Sequence, residues 1–172
     1  KVIAETEQNI LKNMKNAVII RPGLVFGADD NFLRKLIPLF KLSPVIPLFG
    51  DGNRKFQPVF VDDVAKAIEK IITNNNLGNK IYELYGSELL TYKLLYVFLA
   101  KSLGLSRFFY SFPFFLAKIL VYLIQKISNK LITLEQLKLF EYDNLPSNKT
   151  NTFKDLDIKP QNILQIIKII VE

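Results

Sequence analysis

The sequence has no cysteine and no histidine among its 172 residues. Disulfides, thiolate nucleophiles, histidine general bases and zinc sites with their usual ligands are therefore excluded. We predict no metal centre. Any catalysis must use the side chains of Lys, Tyr, Ser, Thr, Asp or Glu.

Glycine is also scarce. The 7 glycines never have the Gly-x-Gly-x-x-Gly spacing with which dinucleotide-binding folds cradle a pyrophosphate. The chain begins at Lys1, directly in the pattern of an amphipathic helix. We therefore expect a fragment, the carboxyl-terminal part of a larger protein, whose upstream half completes the same fold.

Acidic residues are fewer than basic ones, and the net charge is +7. The basic residues are mostly lysines scattered along predicted helices, and aromatic residues are not interleaved with Arg as a single-strand binder requires. Solvated helix surfaces explain this charge better than a nucleic-acid patch. We predict no nucleic-acid partner, and the Asn-rich and Lys-rich composition suggests a bacterial, AT-rich genome.

Long hydrophobic runs are missing except for residues 108–124, where Ser111, Pro113 and Lys118 interrupt 17 largely apolar residues. This length is at the lower limit for a membrane span. We favour a buried helix that starts near Pro113 and belongs to a small substrate-side lobe. A helix on a membrane surface, a helix that docks on a partner, and a true span remain open.

Two segments carry most of the functional signal: residues 17–27 and residues 56–65. Each has a short apolar stretch that ends at Gly or Asp and is followed by a helical pattern. This arrangement is typical of the carboxyl edge of an α/β sheet, where such folds bind ligands. We predict an α/β fold with residues 1–87 as a Rossmann-like part and residues 88–172 as a mostly helical part.

Turn and cap residues predict further elements. A short helix or a turn is expected over residues 31–42. Helices are expected from Asp62 or Asp63 as the cap to residue 72, from Thr91 to near Gly104, and from Pro160 onward. Extended segments are expected over residues 43–47 and 81–84, with a turn over residues 50–53. Isoleucines at 163, 166, 167 and 170 form the apolar face of the last helix.

The motifs resemble those of a known family. Residues 21–27 (Arg-Pro-Gly-Leu-Val-Phe-Gly) resemble the Arg-Pro strand of extended and atypical short-chain dehydrogenase/reductases, and Phe-Gln-Pro-Val at 56–59 with Val61-x-Asp63-Val-Ala65 resembles a later strand and helix. Tyr-Glu-Leu-x-Gly at 82–86, Leu-Thr at 90–91 and Asp-Asn at 143–144 bring the chain closer to one branch. That branch contains the nucleotide-binding accessory subunit of respiratory complex I and other epimerase/dehydratase-like proteins.

The resemblance implies the C-terminal portion of a Rossmann-like NAD(P)-binding fold, with NAD or NADP bound only when the N-terminal half is present. Lys1 lies where the family has the Lys of its catalytic Tyr-x-x-x-Lys pair, although an exposed helical Lys is an equal alternative. Arg21, Pro22, Gly23 and Leu24 are the implied cofactor-binding residues. For Arg21, a structural ion pair at the strand end remains an open alternative.

Departures from the family concern the substrate. Sugar-nucleotide epimerases usually carry an Arg where this chain has Phe56, and that Arg binds a diphosphate. Arg54 would face the same way as Phe56 in an extended segment and is a candidate substitute. We predict Arg54 and Phe56 as the substrate-binding residues.

Three functions remain open at this stage. The favoured one is a structural or supporting role linked to respiratory complex I or ubiquinone metabolism, in the cytoplasm or peripheral at the inner membrane, with respiratory or quinone-pathway proteins as partners. The second is an NAD(P)-dependent oxidoreductase or sugar-nucleotide epimerase/dehydratase that needs the upstream half. The third is a non-functional remnant of a split gene. We expect this chain alone to be inactive.

Overall fold

A computed structural model describes residues 2–27, 30–74, 78–127, 134–147 and 150–171. The helices in this part of the chain are α1 (Val2–Asn13), α2 (Asn31–Leu42), α3 (Val61–Thr73), α4 (Tyr92–Ser102), α5 (Phe114–Ile127), α6 (Leu134–Lys138) and α7 (Ile163–Val171). The strands are β1 (Val18–Pro22), β2 (Val25–Phe26), β3 (Val45–Phe49), β4 (Lys55–Phe56), β5 (Val59–Phe60), β6 (Lys80–Leu84), β7 (Leu90–Thr91) and β8 (Phe108–Phe112). A 3-10 helix spans Phe153–Leu156.

Parallel strand pairs dominate the described sheet structure. Strand β1 pairs with β6, β2 with β5, and β3 with β8, all in parallel, whereas β4 and β7 form an antiparallel pair. Parallel neighbours require a crossover connection, and the chain between β2 and β5 includes α2, while the chain between β1 and β6 includes α3. The predicted α/β class is confirmed.

Several local predictions are also confirmed. The Thr91 hydroxyl accepts a hydrogen bond from the Leu94 amide at 3.2 Å, and α4 ends just before Gly104, which has a φ of 66°. Gly50 and Gly52 have φ values of 67° and 69° in the turn that follows β3. In each case a short motif determines the local backbone conformation through one hydrogen bond or one glycine.

Two buried apolar clusters hold these elements together. The larger one packs side chains of α2, α4 and α7 around the aromatic rings of Phe26, Phe40, Phe56 and Tyr92. The smaller one joins β5, α3 and β6 to the 3-10 helix and consists of Val59, Ala67, Ile71, Tyr82, Leu84, Phe153 and Leu156. Both clusters contain residues from either side of position 87, and the domain division proposed there stays a prediction.

Two predicted helix starts are wrong. Helix α3 begins at Val61 without a side-chain cap, because the Asp63 carboxylate is buried and accepts hydrogen bonds from the Gln161 amide at 2.7 Å and from Gln161 Nε2 at 3.1 Å. Helix α7 begins at Ile163 rather than Pro160, since the Asn162 side chain caps its first turn. The Asp63 carboxylate instead fastens the segment before α7 to the first turn of α3.

The apolar stretch 108–124 also differs from its prediction. Its first five residues form β8, in which Phe108 pairs with Val45 and Phe112 with Phe49. Helix α5 starts next to Pro113, as expected, but only Ala117 and Val121 of its described side chains are buried. A largely buried helix was therefore the wrong interpretation. Among the described helices, none is both long and apolar enough to cross a membrane.

Replacing Asp63 with Ala should destabilise the chain. The substitution leaves the Gln161 amide without its carboxylate acceptor, so we expect a loss of about 1–3 kcal/mol in the free energy of unfolding. Urea titration followed by circular dichroism measures this loss. Asp62→Ala is the matched control, since Asp62 is the exposed neighbour and its removal should change stability by less than about 0.5 kcal/mol. Equal effects of the two substitutions would contradict the assigned role.

Candidate functional site at the end of the first strand

Arg21 lies near the carboxyl end of β1, directly opposite Glu83 of β6 in the strand register. Its Nη1 donates to Glu83 Oε1 at 3.2 Å, and its Nε donates to Glu7 Oε1 at 3.1 Å. Glu7 belongs to α1. One guanidinium therefore connects the first helix with both strands of this parallel pair.

Glu83 is the buried member of this group. Burial by itself raises the pKa of its carboxyl, but hydrogen bonds from Ser147 and Arg21 outweigh that effect and lower the pKa below its ordinary value. The Ser147 amide donates to Glu83 Oε2 at 2.6 Å. The hydrogen bond from Arg21 lowers the pKa of Glu7 as well. Both carboxylates are thus held ionised around Arg21.

The residues after Arg21 cross from one strand pair to the other. Pro22 is exposed, the Gly23 amide donates to the Leu84 carbonyl at 2.9 Å, and the Leu24 carbonyl accepts from the Val59 amide at 2.9 Å. A Cβ atom on Gly23 would lie 2.7 Å from the Gln57 carbonyl oxygen. The backbone of residues 21–24 is therefore fixed on both sides, at the edge where α/β folds bind ligands.

The two predicted substrate-binding residues differ in their surroundings. Phe56 is fully buried and stacks on Tyr92, with ring centroids 4.5 Å apart and planes inclined by 22°. Arg54 is exposed. The alternation of side chains along an extended segment had suggested that Arg54 and Phe56 face the same way, but they do not. Lys1 lies outside the described residues. The functional roles of all these residues remain predictions.

A cavity of about 630 Å³ lies beside α7 and was not anticipated from the sequence. Its walls are mostly apolar, with carboxylates at two positions, and they consist of Val25, Gly27, Asp30, Phe60, Val61, Asp62, Ile166, Ile169 and Ile170. Both Asp30 oxygens accept amide hydrogen bonds from the first turn of α2. The isoleucine spacing predicted a packing face but did not reveal that the outer part of that face borders a cavity.

A comparison with known protein families agrees with the fold of this part of the chain. Residues 2–84 match the NAD dependent epimerase/dehydratase family. The match covers slightly less than half of the chain. The match includes α1, the β1–β6 pair and the Arg-Pro segment, and the resemblance deduced from the motifs is thereby confirmed.

A curated relative extends the similarity beyond residue 84. The chain is 29% identical over 170 residues to NADH dehydrogenase (ubiquinone) 1 alpha subcomplex subunit 9, mitochondrial, from Arabidopsis thaliana. The aligned region covers 93% of this chain and 42% of the relative. The chain thus spans less than half the length of this relative.

Solved structures show the same fold. A UDP-glucose 4-epimerase from Thermotoga maritima, solved with UDP-glucose, superimposes with a TM-score of 0.66 at 16% identity and covers 97% of this chain and 48% of its own. The protein RMD from Pseudomonas aeruginosa, solved with NADPH, gives a TM-score of 0.64 at 14% identity and covers 99% and 52%. At such identities the likeness establishes a Rossmann-like fold and nothing finer.

Acid should weaken the fold through Glu83. A carboxyl whose folded-state pKa is lowered stabilises the fold at pH values above its unfolded pKa, near 4.5, and loses this contribution as the pH falls through the folded value. Glu83→Gln should cost about 1–3 kcal/mol at pH 7 and should lose less stability than the original chain on further acidification.

Urea titrations at pH values between 7 and 3 measure this dependence. Glu69→Gln, at an exposed position of α3, is the matched control and should keep the pH profile of the original chain. A Glu83→Gln profile parallel to that of the original chain would show that Glu83 does not stabilise the fold through its charge.

Proposed function

We propose that this chain is part of a nucleotide-binding protein with a structural or supporting role at respiratory complex I. The observation that carries the proposal is the 29% identity to a complex I subunit over 93% of the chain. The similarity includes the helical part after residue 87, which the epimerase/dehydratase match does not reach. Respiratory or ubiquinone-linked partners and a peripheral place at the inner membrane are included in this proposal.

The proposed cofactor is NAD or NADP, next to Arg21, Pro22, Gly23 and Leu24. The backbone of these residues is fixed by hydrogen bonds to Leu84 and Val59, and Pro22 is exposed. A rigid edge of this kind suits a bound ring system, because little conformational entropy is lost on binding. The upstream half of the fold supplies the pyrophosphate-binding turn in this proposal, and Lys1 is the proposed catalytic-pair residue.

The hydrogen bonds of Arg21 favour a supporting role for this residue rather than the binding of a diphosphate. Its guanidinium already donates to two carboxylates, and the Glu7 bond raises the Arg21 pKa further. The guanidinium has five N–H donors in a fixed geometry, and most of them point toward Glu7 and Glu83. Arg21 therefore acts in this proposal by positioning the backbone of Pro22 and Gly23 beside the cofactor.

The second candidate function is an NAD(P)-dependent oxidoreductase or sugar-nucleotide epimerase, favoured by the fold shared with UDP-glucose 4-epimerase. The described lining of the large cavity offers the Asp30 and Asp62 carboxylates but no cationic side chain. A diphosphate is bound most strongly by Arg and Lys. Arg54 and Phe56 remain the proposed substrate residues for this function, with Arg54 as the exposed cation.

Nucleotide titration tests the cofactor proposal. The protein encoded by the complete reading frame around this chain should bind NADPH or NADH, measured by the change in nicotinamide fluorescence. Arg21→Ala should weaken this affinity roughly tenfold or more, since it releases two charged partners next to the cofactor edge. Arg34→Ala, at an exposed position of α2, is the control and should leave the dissociation constant unchanged.

Three results separate the candidate functions. Absence of nucleotide binding would reject any dinucleotide role. Turnover of UDP-glucose by the same protein with NAD would favour the epimerase over the supporting role. Co-purification with respiratory complex I, without turnover, is the result expected for the proposed function.

A further inference from the structure

Helix α5 exposes most of its apolar side chains. Only Ala117 and Val121 are buried among its described side chains, whereas six large apolar or aromatic residues are exposed: Phe115, Leu116, Ile119, Leu120, Tyr122 and Leu123. At 100° per residue these six positions occupy a continuous arc of about 160°. Exposed apolar surface of this extent on one helix indicates an unseen contact.

The sequence that contains this helix is basic. Residues 107–134 contain four basic residues and no acidic one: Arg107, Lys118, Lys126 and Lys130. Lys118 is at the border of the apolar arc, half exposed, with its Nζ 2.8 Å from Glu141 Oε1. Basic residues next to an apolar helix face complement anionic lipid headgroups. A protein partner would require matching acidic side chains instead.

The width of the arc distinguishes a lipid surface from a second helix. A helix that packs against one partner helix buries a narrow stripe at every third and fourth residue. The arc of α5 comprises two such stripes side by side, one through Phe115, Ile119 and Tyr122, the other through Leu116, Leu120 and Leu123. An interfacial helix immerses a face of this width. The 14 described residues of α5 are too few for a span.

We propose that α5 lies in the surface of an anionic lipid bilayer, with its axis along the membrane plane and its apolar arc among the acyl chains. Tyr122 then has an aromatic ring at the depth where aromatic side chains prefer the headgroup boundary. Lys118 lies at the edge of the arc, where a long side chain keeps its ammonium group, here beside Glu141, at the level of the headgroups. This contact does not require a bound nucleotide, so its test is independent of the cofactor proposal.

Vesicle flotation tests the lipid contact. The chain is mixed with vesicles of phosphatidylcholine, or of equal parts phosphatidylcholine and phosphatidylglycerol, and the bound fraction is measured after density centrifugation. We expect binding to the mixed vesicles, weaker binding to phosphatidylcholine alone, and a decline with added salt, because counterions screen the basic residues. Binding that ignores both lipid charge and salt would overturn the electrostatic part of the proposal.

Matched substitutions locate the contact. Ile119→Asp removes an exposed side chain from the middle of the arc and should lower the vesicle partition coefficient by about tenfold to a hundredfold, since a buried Ile contributes one to two powers of ten. Ile72→Asp is the matched control. It alters a side chain of α3 that is 73% exposed, against 55% for Ile119, and this variant should bind vesicles as the original chain does. Circular dichroism confirms that both variants fold.

Two outcomes would overturn the proposal. Equal loss of vesicle binding in both variants would place the contact elsewhere than α5. No vesicle binding by the original chain, together with a dimer in solution that Ile119→Asp dissociates, would assign the arc to a second copy of the chain.

Discussion

Two buried carboxylates fasten the carboxyl-terminal segments to the α/β unit. Glu83 accepts the Ser147 amide at 2.6 Å, and Asp63 accepts the Gln161 amide at 2.7 Å. A buried carboxylate is costly unless donors surround it. Each of these groups therefore specifies the position of a distant segment, because the segment supplies the donors that the charge requires. These two attachments also hold the 3-10 helix against the smaller apolar cluster, since the helix packs on Tyr82 and lies between Ser147 and Gln161 in the sequence.

Local signals in the sequence predicted much of the fold. The Thr91 hydroxyl, the glycines of the turn at 50–53 and the extended segment at 81–84 are local features, and the structure confirms them. The Arg-Pro segment correctly located the end of β1. These elements were predictable because the physical cause lies inside the motif, in one cap, one positive φ or one run of apolar side chains.

The features that the sequence did not reveal are interactions between distant residues. Asp63 precedes an apolar helix and has the chemistry of a cap, but its partner is Gln161, 98 residues later. The segment 108–112 becomes a strand because β3 offers a parallel edge, which no local pattern announces. Phe56 is apolar and aromatic, so the sequence alone does not distinguish a substrate contact from the stack on Tyr92. Knowledge of the tertiary partners was needed in all three cases.

Glu83 links the predicted cofactor edge to the carboxyl-terminal segment. Its two oxygens are divided between Arg21, which holds the start of the 21–24 segment, and the amide of Ser147. A ligand that draws the Arg21 guanidinium away would leave Glu83 with fewer donors, and the carboxylate would then depend more strongly on Ser147. The converse also holds. If the Ser147 amide moved away, Glu83 would have fewer hydrogen-bond donors and would depend more strongly on Arg21. The Arg21 side chain and the Ser147 amide therefore share one buried charge, and an energetic coupling between two groups of this kind is reciprocal in free energy.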